Sequence, residues 1–290
     1  MPKILRTKPI NGAPSLMSAN DTDHARQRKL LSNAFSDTAL REQEPLLQSY
    51  ADLLVKQIRE ECQSGAKATD MVEWFTFTTF DIIGDLSFGR SFDNLANKEA
   101  HPWVSTFKSG IKQGILFVAF RTLCVPFFDR LIYRVVSPVL QRKRHEQFKH
   151  AQAAVHERLK KKTDRPDFIS NFLRFNDVAS VPLPEVESIF TIVALAGCES
   201  PATALSGALY YLLRNPIPYK KLQDEIRRLR SDEDIKIASL ARLPYLKAVL
   251  DESMRLYPPV PAAMDRVVPG EGSMVSIPFS SSQDLGDCTH

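Results

Sequence analysis

The sequence predicts a mainly α-helical protein with little β structure, and three observations carry that expectation. Large apolar residues recur at mixed three- and four-residue steps, almost nothing alternates with period two, and short breaks marked by proline or glycine separate the periodic segments. The longest periodic segment, over residues 184–214, is closed by Asn215-Pro216; at 1.5 Å per residue it would reach about 45 Å, the width of a whole domain. A long central helix is therefore expected to cross the molecule.

The elements follow in order. Asp21 or Asp23 can cap a first helix over 24–35. A second begins near Thr38, carries Leu40, Leu46, Leu47, Leu53, Leu54 and Ile58, and ends near Gly65. A third runs over 70–86 and is apolar nearly all round, with Phe75, Phe77, Phe80, Ile82 and Ile83, which predicts a buried core helix. Two Phe-rich helices are expected over 107–120 and 123–136. Residues 145–162 then read as a polar, basic helix with Phe148, Ala151 and Val155 on one face. A polar break with Pro166, Pro182 and Pro184 precedes the central helix, for which Pro184 is a natural first-turn residue. With no internal repeat and no low-complexity linker, residues 1–290 count as one domain.

Composition excludes several classes. At 290 residues and 43% hydrophobic content a substantial core can form. A formal net charge of +4 is too mild to argue for nucleic-acid binding. Residues 121–165 are locally basic, with twelve Lys and Arg against four Asp and Glu; the part from Arg142 to Lys162 either faces anionic lipid or a partner protein or is a solvated helix face. Cys62, Cys124, Cys198 and Cys288 are scattered, without CxxC spacing, so a reducing compartment and no metal site are expected, with Cys62 and Cys124 as small apolar side chains. The first residues show no apolar run, so no signal peptide is expected, and no stretch is expected to reach the roughly 18 apolar residues of a spanning helix. Any membrane contact would be peripheral.

Chemistry concentrates on the central helix. Apolar residues up to Leu195 give way to Ala196-Gly197, where the lack of side-chain bulk suits either the close approach of a flat ligand or a helix crossing. Glu199 and Ser200 follow as an acid and a hydroxyl. Pro201 has no N–H for the carbonyl of Gly197 and is expected to kink the helix. A second motif, Glu252-Ser253-Met254-Arg255, places an acid and an arginine on one helical face. Set between Leu250 and Leu256 and followed by Pro258-Pro259, it reads as a buried structural charge pair.

Together these motifs resemble the cytochrome P450 monooxygenases. The run from Leu195 to Thr203, with Leu212-Leu213-Arg214-Asn215-Pro216 as its close, is similar to the family's central helix, and the stretch from Leu243 to Pro261 is similar to its ExxR helix. A third similarity, Asn20 to Ser36, resembles the fungal-type segment in which residues four apart, here His24 and Arg28, hold a haem propionate; Arg266 resembles the second propionate arginine. The resemblance implies a P450-like helical fold, haem against Ala196 and Gly197, a proton relay through Glu199 and Ser200, and a structural pair Glu252–Arg255. It also implies an apolar small-molecule substrate of secondary metabolism, an NADPH-P450 reductase as electron donor and as the partner protein for residues 142–162, and the cytosolic face of the endoplasmic reticulum, with the cytosol as the alternative for this chain.

The family's haem-cysteine loop, Phe-x-x-Gly-x-Arg-x-Cys-x-Gly, does not occur in the 290 residues, and the surroundings of Cys288 do not match it. The resemblance spans about residues 11–279, up to a strand-like stretch over 267–279, and 280–290 is a divergent polar tail. The expectation is an incomplete P450-like domain that is inactive for want of a thiolate ligand. The alternative is a non-catalytic helical interaction protein or gene-model fragment derived from a P450.

Overall fold

The computed structural model describes residues 10–63, 65, 68–104, 142, 145–161, 165–175, 181–229 and 234–261. Among them the secondary structure is helical, with no strand: α1 (Asp21–Ser32), a 3-10 turn (Asn33–Phe35), α2 (Asp37–Gln63), α3 (Met71–Phe88), the short α4 (Asn94–Asn97), α5 (145–160), α6 (Phe168–Phe175), α7 (Leu183–Arg214), α8 (Pro216–Ile226), the short α9 (Ile237–Leu240) and α10 (Pro244–Leu256). The expected helices over 107–120 and 123–136, the strand-like stretch over 267–279, Arg266, Cys124 and Cys288 lie outside the described residues.

The cap of α1 differs from expectation. Asn20, not Asp21 or Asp23, ends the extended chain, and its side-chain oxygen accepts the Asp23 N–H at 2.8 Å. Its Nδ2 donates back to the Asp23 carboxylate at 2.8 Å, so the two side chains close a reciprocal cap, and both aspartates occupy the first turn where the helix dipole favours them. The helix stops at Ser32, and 33–35 tighten into a 3-10 turn.

The core forms where α3 lies along α7, the most extensive helix pairing among the described residues. Phe80, Ile83 and Leu86 of α3 meet Ile189, Phe190 and Cys198 of α7, all buried. Phe190 also meets Phe172 of α6 edge to face, with ring centroids 5.6 Å apart. As expected, α3 is buried along most of its length, and Phe148, Ala151 and Val155 form the buried side of α5. Asp70 caps α3 through the N–H groups of Val72 and Glu73, and Gly89 closes it at φ 66°.

Helix α6 falls where the sequence predicts a polar break. It forms because Asp167 accepts the N–H of Ser170 at 2.7 Å and so opens the first turn, while Phe168, Ile169 and Phe172 supply an apolar stripe to the core. Asp167 can be buried because Arg158 of α5 meets both its oxygens, at 2.7 and 3.2 Å; the two side chains are 1% and 2% exposed. Gly89 is required beside them, since a Cβ there would lie 2.6 Å from the Arg158 Cδ. The sequence shows the proline and conceals the pair.

Two further expectations are corrected. Helix α7 is, by length and composition alone, long and apolar enough to cross a bilayer, with a hydropathy of 1.4. Its packing against α3 and the buried acids Glu185 and Glu187 in its first turns give it the place of a core helix instead. Cys62 is exposed at the end of α2, because only a stripe of that helix turns inward and Cys62 lies off it.

Candidate functional site

Helix α7 presents two different sides around residue 197. The buried side carries Ala194, Cys198 and Ala202, spaced by four and turned into the core. The other carries Ala196, which is exposed, and Ser200 and Thr203, which are half-buried. A wall of small and hydroxyl side chains is thus left open at mid-helix. Glu199 flanks it half-buried, and its Oε2 is buried without a hydrogen-bond partner among the described residues. A buried carboxylate oxygen without a donor is unfavourable, so this atom is open to a hydrogen-bond donor from a ligand.

Gly197 faces elsewhere. A Cβ on it would lie 2.5 Å from Cδ1 of Ile83 on α3, so its missing side chain serves a helix crossing. The helix continues through Pro201, which is exposed, and the Ser200 hydroxyl donates to the Ala196 carbonyl at 2.5 Å. In this arrangement the hydroxyl proton is held by the backbone, and the oxygen lone pairs face outward from the helix.

His24 and Arg28 sit one turn apart on α1, half-buried and exposed respectively, beside the buried stripe of Gln27 and Leu31. Neither side chain has a hydrogen bond or ion pair among the described residues. They are donors available to an anionic group.

Helix α1 is tied to the start of α7 by contacts that the sequence did not reveal. Glu185, with a side chain 7% exposed, accepts from Arg26 Nη2 at 2.6 Å and from Gln27 Nε2 at 2.8 Å. This bond holds Arg26 further into its charged range. Two residues on, Glu187 meets His156 Nε2 of α5 at 2.6 Å and accepts from Asn11 Nδ2 at 3.1 Å. Acids in the first turn are visible in the sequence as favourable to the helix dipole. Their partners, more than 150 positions away for Glu185, are not.

The Glu252–Arg255 pair forms with the expected spacing. Nε and Nη2 of Arg255 each donate to a Glu252 oxygen at 2.7 Å, which lowers the carboxylate pKa and raises that of the guanidinium through the hydrogen bonds they share. The expected burial is not found. The side chains are 55% and 67% exposed because α10 packs on α7 and α8 through its other face, and no described residue covers the pair. Beside it, Tyr211, Leu212, Pro218, Tyr245, Val249 and Leu256 line an open groove of about 410 Å³ between α7, α8 and α10. The open wall at Ala196 and Ser200 does not border this groove.

This architecture is a helical assembly built on one long central helix with an open polar wall at its middle. Its fold is similar to the crystal structure of the cytochrome P450DA heme domain, with a TM-score of 0.68 over 86% of this chain and 53% of that one, at 18% identity. The cytochrome P450 family model matches residues 4–273, and the chain belongs to that family. It is 39% identical to the cytochrome P450 monooxygenase astA of Talaromyces wortmannii over 94% of this chain and 55% of that protein. It is 40% identical to astJ of Aspergillus oryzae and 41% identical to efuB of Hormonema carpetanum, covering 53% of each. The chain spans about half the length of the relatives it matches.

Proposed function

We propose that this chain forms the distal wall and one propionate grip of a haem-thiolate monooxygenase from fungal secondary metabolism. The observation that carries the reading is the uncovered mid-section of α7, where Ala196 is exposed beside the unpartnered Oε2 of Glu199. An alanine leaves room for a flat porphyrin face, and a carboxylate oxygen without a donor is suited to pass a proton. His24 and Arg28 would hold a propionate, with Arg266 as a second grip. Gly197 would border the haem only through its backbone, since its Cα side meets Ile83.

The fit to haem is partial. The residues suit the porphyrin face and its carboxylates, while neither described cysteine suits the iron. Cys198 is buried between α3 and α7 with its Sγ donating to the Leu195 carbonyl, and Cys62 is exposed at the far end of α2. Bound haem would supply the oxygen activation through a thiolate ligand that pushes electron density toward the iron. The chain's own residues would do the rest: Glu199 would move a proton, and Ser200, pinned to the Ala196 carbonyl, would present its oxygen as an acceptor. Ser253, the one buried residue of α10, fixes the face on which Glu252 and Arg255 sit. The substrate would be a small apolar metabolite and the electron donor an NADPH-P450 reductase at the cytosolic face of the endoplasmic reticulum, with the basic side of α5 as a peripheral membrane contact. Turnover by these 290 residues alone is not expected.

Titration of the purified chain with haem, followed by absorption, tests the proposal. A saturable Soret shift without a thiolate-type band in the reduced, CO-bound state is expected. Absence of any porphyrin binding would favour a second reading, a non-catalytic interaction protein, which the exposed Leu213 and Ile217 at the junction of α7 and α8 support. Oxygenated product from the isolated chain would overturn the expectation of no turnover.

A further inference from the structure

Among the side-chain groups that cross between elements at the edge of the core, one joins the two walls of the proposed cradle. Glu185 stands in the first turn of α7, buried, and holds Arg26 and Gln27, two neighbouring residues of α1, at 2.6 and 2.8 Å. Gln27 is fully buried and also donates to the Pro14 carbonyl at 2.8 Å, so α1 cannot slide along this contact without leaving polar groups unpaired. His24 and Arg28 bracket the two held residues on α1. On α7, three helical turns without proline separate Glu185 from Ala196, about 16 Å at the rise of an α-helix. After Pro184 in the first turn, the next proline of that helix is Pro201, beyond Ala196, so no proline interrupts the segment between.

We infer that Glu185 is a positioning residue that sets the register of the propionate-gripping helix α1 against the distal wall of α7. This rests on the haem-cradle reading above and adds to it a residue that would touch neither the cofactor nor substrate. The carboxylate is what makes the tie specific: it accepts two donors from adjacent side chains, one of them a guanidinium that is 45% exposed and that, without Glu185, keeps only Asp23 of its own helix, at 3.4 Å. The reach of His24 and Arg28 toward a carboxylate on the porphyrin rim then depends on a contact at the far end of α7. A residue with only a general structural role would affect every part of the porphyrin equally. Glu185 is expected to affect the propionates alone.

The test uses the whole purified chain with two probes, iron protoporphyrin IX and its dimethyl ester, in which the propionate charges are masked. Glu185→Ala is expected to weaken binding of the free acid about tenfold, the scale of one charge-assisted hydrogen bond, and to leave the ester within about twofold. Arg26→Met removes the exposed half of the tie without emptying a buried position, and should give the same selective loss if Glu185→Ala folds poorly. Glu185→Gln, which keeps an acceptor for Gln27, should restore part of the affinity. Hydrogen exchange supplies a readout independent of haem: amides of α1 should lose protection in Glu185→Ala while those of α7 after residue 189 keep theirs. Equal weakening of both porphyrins, or unchanged α1 protection, would overturn the inference. If the unaltered chain binds neither porphyrin, the cradle reading fails, and with it the functional role of Glu185. The exchange result then decides only whether the tie exists.

Discussion

Gly197 sits where two local effects oppose each other. Alanine in mid-helix is favoured over glycine by about 1 kcal/mol, yet a Cβ here would stand 2.5 Å from Cδ1 and 3.0 Å from Cγ1 of Ile83. Ile83 is 6% exposed and cannot swing outward, and overpacking of this kind costs about 1–3 kcal/mol. The clash should win. Gly197→Ala is expected to lower stability in urea by about 1 kcal/mol, and Gly197→Ala with Ile83→Val, which removes the offending methyl, should regain most of that loss. A second residue-scale expectation concerns pH. The Asp81 carboxylate is buried and accepts from Asn94 N, Asn94 Nδ2 and Leu95 N at 3.1, 2.8 and 2.8 Å. Burial, the larger effect, lifts its pKa above the ordinary value of an aspartate, against the lowering by those bonds. The folded state then holds this proton more tightly than the unfolded state does. The contribution of Asp81 is therefore fully present below the unfolded value and is lost as pH rises through the folded one. Denaturation at a series of pH values should show the stability of the unaltered chain, relative to Asp81→Asn, falling from about pH 4 upward. A flat or rising difference would contradict this sign.

Helix α10 shows what an element gains from a neighbour. Its N-cap residue, Leu243, has no side-chain acceptor, and the first turn is capped from outside. Both oxygens of Glu225 on α8 accept from α10, one from Tyr245 N at 3.0 Å and the other from Leu246 N at 2.8 Å. A carboxylate at a helix N-terminus satisfies open donors and suits the dipole, so Glu225→Ala should destabilise by about 1 kcal/mol. Hydrogen exchange should localise the loss to Tyr245 and Leu246, with α3 unaffected. The boundaries of α10 were legible in the sequence because Pro244 starts it and Pro258-Pro259 follow its end, and the spacing of Glu252 and Arg255 gave their contact. Neither the cap nor the exposure of the pair was legible, since both depend on which face a helix turns to partners distant in sequence. Helix α6 was hidden for the same reason: Asp167 reads as a loop residue until Arg158 is seen beside it. The central helix, α3 and the inward stripe of α5 were legible because periodicity alone decides a buried face. The ties from Glu185 and Glu187 were not.

At the scale of the molecule, apolar exposure is uneven. Of the sixteen large hydrophobic side chains that are exposed among the described residues, eleven lie from Leu205 onward, led by Ile217 at 72% and Leu213 at 67%. Leu256 among them lines the groove between α7, α8 and α10, and exposed apolar side chains concentrated in one part of a fold mark a surface that associates. The net charge of +4 is too small to keep copies apart at ordinary ionic strength. The weight-average mass in analytical ultracentrifugation should therefore rise above 32.7 kDa as concentration increases. Leu213→Glu with Ile217→Glu should hold it near the single-chain value while leaving the thermal midpoint nearly unchanged, because exposed substitutions away from the core shift stability by only about 0.5 kcal/mol. The two added acids bring the net charge closer to zero and weaken the overall repulsion, so a gain in dispersion would have to come from the lost apolar contact. Leu213→Lys with Ile217→Lys, which raises the net charge, should disperse the chain as well. If only the lysine variant does so, long-range repulsion governs the association, and the end of α7 is not the surface through which copies meet.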